Sequence, residues 1–400
     1  AFTSLNNKPY RSLPITPVKG DKIIIEFFEP YSPKFESELI IGKVNHSIYT
    51  EDQYFGRSGN CEVDINCSEG EDWKDEKHSV CRIIINGTGL CTGSLMNNTE
   101  SDNTPYFLTA NHCICNQNGA ENSVFYFNYE SPSCNGGDGS TSQAISGADL
   151  IATRAQSDFT LLELSETPPS TYNAYYNGWD RTNSQPTGGV CIHHPMGDVK
   201  KISTHNITPN NSNCMNFSYN AGCGTAFYSN NNFWLIHPWL QTSNGWGVTE
   251  GGSSGSPLYN NNHHVIGQLF GAGYCNNANC NDPSNDYSNY GKIYASWNAG
   301  SSSNERLSDW LDPVGNNPSA LDGRYDEAPP VNPCKYDSDT KTISYTTINS
   351  DKNYPMRCGY TIKYAIITNN SSVTINYQGQ TVIDEAFEVE SGSSLEIQPQ

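Results

Sequence analysis

The sequence predicts an all-β protein, and three observations carry that expectation. Short runs rich in β-branched and aromatic residues recur along the 400-residue chain, each bounded by Gly, Asn, Ser or Pro. That spacing of strand formers and turn formers marks sandwiches and barrels. Sustained helical periodicity is nearly missing. Fourteen cysteines lie scattered rather than in repeated CxxC pairs, which favours disulfides over zinc and an oxidising, extracytoplasmic compartment.

The strand candidates, in order, are "KIIIEFF", "ELIIGKV", "CRIIING", "YFLTA", "SVFYFNY", "FTLLEL", "HVIGQLFG" and "KIYASW". One helix is expected in "SNERLSDWLDP", where Ser303 caps the start, Arg306, Leu307, Trp310 and Leu311 follow, and Pro313 stops it. Residues 1–55 are β-rich but hold no cysteine, whereas the cysteine framework begins at Cys61. "DEAPPVNP", residues 326–333, reads as a semi-rigid proline linker. After it, residues 334–400 carry two cysteines and the runs "YTIKYAIIT", "SVTINY" and "SSLEIQP", the pattern of a small separate β module. That module is loosely similar to short β-repeats near the ends of secreted bacterial proteins, and anchoring or sorting are its expected uses.

Twenty-two basic residues against 42 acidic ones give a formal charge of −20, which disfavours nucleic acid and anionic membrane surfaces as partners. No run of 18 or more apolar residues occurs, so no membrane span is expected. The chain opens on Ala1 without a charged-then-apolar leader, so any signal peptide has been removed or was not included. A secreted, extracellular monomer is the expectation.

The stretch "GGSSGSPLY", from Gly251 to Tyr259, concentrates backbone freedom at one point. Either it is a flexible linker or a tight turn holding a serine hydroxyl and converging amides, as acyl transfer requires. Ser254 is the candidate nucleophile, and the N–H groups of Gly252 and Ser254 are the candidate oxyanion donors. His112, where an apolar strand ends in "YFLTANHCIC", has the pKa range of a general base. Asp158 leads into the apolar run "FTLLEL", which would bury it beside an imidazole, with Asp149 as a local competitor. The order His112, Asp158, Ser254 is that of a chymotrypsin-type triad. His193-His194 and His263-His264 invite a metal reading, but adjacent residues on a strand point to opposite faces and cannot readily chelate one ion. No metal and no cofactor is expected, and no EF-hand-like calcium loop is present.

With those residues in place, residues 56 to about 313 resemble a lysyl endopeptidase, of the bacterial branch of the chymotrypsin-like serine proteases. The matching segments are "GRSGNCEVDINCSEG", "CTGSLMNNT", "YFLTANHC", "SDFTLLEL", "GWDR", "IHHP", "GVTEGGSSGSPLY", "YGKIYASW" and "RLSDWLDP", in the family's order. The resemblance implies two six-stranded β-barrels with the site in the cleft between them, and a short C-terminal helix. It implies a protease domain over residues 56–325, with residues 1–55 a propeptide or its remnant. His112, Asp158 and Ser254 become base, orienter and nucleophile. Implied disulfides are Cys91–Cys113, Cys67–Cys134 and Cys61 with Cys275 or Cys280; Cys334–Cys358 is added on locality alone.

The departures from the family pattern matter as much. Ser253 stands where the trypsin branch has an aspartate that pairs with the new N-terminal ammonium, so activation by that insertion is not expected. Ser288 stands where the family has the aspartate that selects lysine; Asp286, two residues upstream, is the alternative carboxylate, and basic-residue specificity stays open. Phe270 replaces a histidine that stacks near the catalytic imidazole, while Trp239 matches the aromatic member of that cluster. Thr249, Ser288, Asp286, Trp239 and Phe270 are the expected substrate-binding residues. Function is expected to be a secreted serine endopeptidase acting on proteins or peptides. The competitor is a non-catalytic or propeptide-blocked protease-like binding protein.

Overall fold

The computed structural model describes residues 8, 10–18, 20, 22–27, 38–45, 56–220, 222–275 and 280–325, together with the backbone of the strands between residues 340 and 399. The chain forms two compact units, residues 1–325 and residues 326–400.

Two sheets of seven and ten strands build the first unit, antiparallel except where Trp179–Asp180 pairs in parallel with Val265–Gly271. The seven-stranded sheet runs in the order Ala144–Ser146, Ser123–Phe127, Val80–Ile85, Gly89–Leu95, Tyr106–Ala110, Phe159–Leu164, Ala148–Arg154. The ten-stranded sheet is centred on Gly189–His193, Pro257–Asn260, Val265–Gly271 and Ser288–Lys292. Each sheet contains six strands of four residues or more; short edge strands such as Val63–Asp64 and Ala320–Leu321 bring the totals above six. The all-β expectation holds.

Burial follows from these strands. Phe107, Phe125, Phe127 and Leu162 fill a core inside the seven-stranded sheet, and Trp234, Ile236, Leu258 and Leu269 fill one inside the other. A third cluster joins Leu108, Phe159 and Leu161 of the first sheet to Val190, Ile192, Ile202 and Tyr259 of the second. Apolar burial of this kind, worth about 25 cal/mol per Å² removed from water, fixes the two sheets against each other.

Several expected elements differ. The described parts of "KIIIEFF" and "ELIIGKV" form no strand, and Ile24, Ile40 and Val44 stand exposed; no described strand lies alongside to take up a ladder. "KIYASW" splits: Lys292 ends a strand and Ile293–Trp297 is an α-helix that buries Ile293 and Trp297. Tertiary burial of those two side chains overrides the local β preference. The helix expected over "SNERLSDWLDP" is two pieces, a 3₁₀ turn at Ser303–Glu305 and an α-helix at Ser308–Leu311. Ser303 lies inside the turn instead of capping it, because Arg306 is extended between the pieces.

Five disulfides are present among the described residues: Cys61–Cys280, Cys67–Cys134, Cys91–Cys113, Cys115–Cys223 and Cys214–Cys275. Cys61 thus pairs with Cys280, and Cys275 is used by Cys214. Cys81 and Cys191 are free thiols buried in the sheets. Cys334–Cys358 lies outside the described residues.

In the second unit the strands Thr340–Ile348, Lys352–Ile367, Ser372–Ile383 and Ser394–Pro399 pair in parallel. Thr340 lies opposite Gly359, Thr361 opposite Val382 and Ser372 opposite Ser394.

One glycine shows how closely the sheets meet. Gly255 has φ +83°, and a Cβ there would collide with the Thr109 hydroxyl and the Thr92 carbonyl. Gly255→Ala is expected to cost roughly 2–5 kcal/mol through overpacking and left-handed strain, read as a lowered urea midpoint with disulfides intact.

Candidate active site

The antiparallel pairing of Tyr106–Ala110 with Phe159–Leu164 sets Ala110 opposite Phe159. The residues just beyond that pair, Asn111-His112 on one strand and Asp158 on the other, are therefore neighbours. Asn111 N–H donates to the Asp158 carbonyl at 2.8 Å. Asp158 takes the left-handed conformation, φ 55°, which turns its carboxylate back under the histidine. There Oδ1 accepts from the His112 backbone N–H at 3.0 Å and Oδ2 lies 2.8 Å from His112 Nδ1. The Asp158 side chain is wholly buried and that of His112 is 16% exposed.

Burial pulls the His112 pKa down, but the Asp158 charge and its hydrogen bond outweigh that and hold it above the ordinary histidine value. The carboxylate also fixes the tautomer. With Nδ1 donating to Asp158, Nε2 is left as the basic atom. Asp149, the competitor, instead accepts from Gln117 Nε2 at 3.0 Å and takes no part.

Ser254 belongs to the other sheet, in the turn before Pro257–Asn260. Thr92 brings it to the histidine: its N–H donates to the Ser254 carbonyl at 2.8 Å, and the adjacent Cys91 is bonded to Cys113, next to His112. The Cys113 sulfur lies 3.7 Å from the same carbonyl oxygen. Gly252 is left-handed, φ 90°. Among the described residues no hydrogen bond takes the amide of Gly252 or of Ser254, whereas the flanking amides of Ser253, Gly255 and Ser256 all donate within the fold.

The remaining expected site residues divide into two groups. Asp286, Ser288, Thr249 and Trp239 come together behind the turn. Thr249 N–H donates to Asp286 Oδ2 at 2.9 Å, and Ser288 Oγ lies 3.2 Å from Asp286 Oδ1, 2.7 Å from Thr249 Oγ1 and 3.0 Å from Trp239 Nε1. Burial pushes Asp286 up to about 7 against these hydrogen bonds, with the Glu250 charge adding to the rise. Phe270 is elsewhere, edge-on to His112 with ring centroids 5.2 Å apart. Trp239 is therefore separated from the imidazole cluster it was expected to join; its rings meet His205 and Tyr290. Its indole N–H reaches Ser288, which draws it to the Asp286 group.

Phe270 instead gathers Phe217, Tyr219, Tyr228 and Phe233 around it. Three of these come from the hairpin Phe217–Asn220 and Thr225–Tyr228, which the Cys115–Cys223 disulfide ties to the histidine loop. Nothing in the local sequence signals that wall. In the first histidine pair, His193 lies between Ser253 Oγ at 2.8 Å and Ser203 Oγ at 3.0 Å, and burial with the Lys201 charge lowers its pKa to about 3.

Residues 55–291 match the family model for the lysyl endopeptidase C-terminal domain. The chain belongs to the lysyl endopeptidase family. Lysyl endopeptidase of Pseudomonas aeruginosa is 30% identical over 313 residues, covering 72% of this chain and 62% of that protein. The chain thus spans less than two thirds of that relative's length. Among solved structures, a Glu endopeptidase in complex with MPD is 15% identical, covering 60% of this chain and 93% of that one at a TM-score of 0.35. The Rv3671c protease from M. tuberculosis, active form, is 14% identical over 60% and 87%, with a TM-score of 0.37.

The His112–Asp158 pair makes a direct expectation. In NMR titration the imidazole should titrate above about 6.5, and Asp158→Asn should bring it down. A raised folded pKa stabilises the protein below pH about 6.5, and that contribution is lost as pH rises through the folded value.

Proposed function

We propose that this lysyl endopeptidase family member is a secreted serine endopeptidase that cleaves after basic residues. Its main support is the joining of the His112–Asp158 pair to the Ser254 turn through Thr92 and Cys113. Ser254 Oγ attacks the scissile carbonyl while His112 Nε2 takes its proton and passes it to the leaving amine. Asp158 orients the imidazole and stabilises its charged form, and the Gly252 and Ser254 amides receive the oxyanion. Water repeats the sequence to release the acyl group.

For the residue before the cut, Asp286 supplies the carboxylate missing at Ser288. Ser288 and Thr249 hold it, so the loop departs from the family pattern while preserving a negative group. Loss of a charge partner in a desolvated pocket strongly penalises a bound lysine. Residues 1–55 act as a propeptide-like segment in this reading, and residues 334–400 as a module for anchoring or sorting. Hydrogen bonds from Lys8, Ser12 and Asn45 of the early segment reach Ser165, Asn122 and Asn86.

A fluorophosphonate probe should label the wild-type chain and not Ser254→Ala, and cleavage of a lysyl peptide should fall by about 10⁴-fold or more in that variant. Undiminished activity in Ser254→Ala would defeat the assignment. Asp286→Asn should lower kcat/KM for lysyl and arginyl substrates about 10²-fold or more, with little change for a neutral residue at that position. In the wild type, the ratio of lysyl to neutral kcat/KM should climb as pH rises through about 7, because the carboxylate must ionise to attract the ammonium. That climb should be missing in Asp286→Asn.

A further inference from the structure

The turn from Gly251 to Ser254 is held by groups that the proposed mechanism does not use. Met196 N–H donates to the Gly251 carbonyl at 2.5 Å, and Thr92 Oγ1 donates to the Gly252 carbonyl at 2.8 Å. His193 Nδ1 lies 2.8 Å from Ser253 Oγ, and His194 N–H donates to Thr92 Oγ1 at 3.1 Å. Space at Gly252 is closed by the backbone of the same neighbour: a Cβ would sit 2.9 Å from the His194 carbonyl oxygen, 3.1 Å from Met196 N and 3.0 Å from Gly197 N. The path of His194–Gly197 therefore decides where the Gly252 amide points.

That loop is not self-supporting. Met196 is left-handed, φ 54°, a conformation non-glycine residues adopt only when their surroundings impose it. Its C-terminal end is Asp198, 1% exposed. The Asp198 carbonyl lies 2.9 Å from His194 Nδ1. Its carboxylate is filled on both oxygens: Oδ1 accepts from Val199 N–H at 2.7 Å and Gly56 N–H at 2.9 Å, and Oδ2 from Ser58 N–H at 3.2 Å and Ser58 Oγ at 2.5 Å. Three of those four donors belong to the Gly56–Ser58 strap, far away in sequence.

We propose that Asp198 is a positioning residue for the oxyanion turn, anchored by the Gly56–Ser58 strap and acting through His194–Gly197 on Gly251–Ser254. The assignment rests on the endopeptidase reading above. Ser253 carries no charge with which to hold the turn, so the anchoring carboxylate sits one loop further out. Removing it leaves the His112–Asp158 pair and the Asp286 pocket intact but lets the Gly252 amide drift from the developing oxyanion. The loss then falls on the chemical step, not on substrate binding.

The test compares wild type, Asp198→Asn and Ser58→Ala on a lysyl peptide, with a lysyl boronate as oxyanion mimic. Asp198→Asn turns an acceptor into a donor facing donors, and kcat should fall about 10- to 100-fold with KM within about threefold. The boronate inhibition constant should rise in proportion to the loss in kcat/KM, and the acid limb of the pH profile, set by His112, should not move. Ser58→Ala should shift the same parameters in the same direction by about two- to fivefold. It also decides the matter if Asp198→Asn does not fold. Wild-type kcat in either folded variant, or a fall in kcat matched by equal loss of substrate binding, would overturn the proposal. Failure of wild type to show Ser254-dependent turnover would instead overturn the endopeptidase reading.

Discussion

Thr92 clasps the two sheets, and the site depends on that clasp. Its N–H and hydroxyl are spent on the carbonyls of Ser254 and Gly252, and its own carbonyl accepts from the Thr109 hydroxyl at 2.8 Å. Thr92 is wholly buried, so each of these bonds replaces one to water and would be costly to leave unmade. Through Thr109 the same residue reaches the strand Tyr106–Ala110, which leads to His112. One residue thus registers a turn of the ten-stranded sheet against a strand end of the seven-stranded sheet. The close approach is possible because Gly255 carries no side chain.

Burial dominates the electrostatics behind the turn. Desolvation drives the pKa values of His193 and His194 down and that of Glu62, which lies 3.7 Å from His193 Nε2, up, so burial disfavours the charged form of each. Hydrogen bonds between neutral partners can then support the turn without a compensating cation. At His112 the balance reverses, since the buried Asp158 charge outweighs desolvation. The same low-dielectric surroundings therefore keep the supporting histidine neutral and make the site histidine more basic.

Covalent links reinforce both flanks of His112. Cys91–Cys113 ties it to the strand carrying Thr92, and Cys115–Cys223 ties it to the aromatic hairpin around Phe270. A loop held on both sides loses less freedom when substrate orders it, which is how pre-organisation serves catalysis.

Much of this was legible in the residues themselves. Strand runs such as "YFLTA" and "FTLLEL", the glycine-rich turn at Ser254, and the chain order of His112, Asp158 and Ser254 are local or sequential patterns, and a linear reading captures them. "KIYASW" was misread because its β-type composition is answered by the burial of Ile293 and Trp297 in a helix, a demand of the surrounding core. Trp239 was placed with the imidazole although its indole N–H is satisfied at Ser288. The aromatic hairpin, the pairing of Cys115 with Cys223, and the Asp198 anchor left no local trace, since each joins residues far apart in the chain. The sequence by itself determined the all-β class, the candidate triad and the presence of an alternative carboxylate at Asp286. Only the tertiary structure decided which buried polar group answers which, because hydrogen-bond satisfaction and desolvation depend on the neighbours that folding supplies.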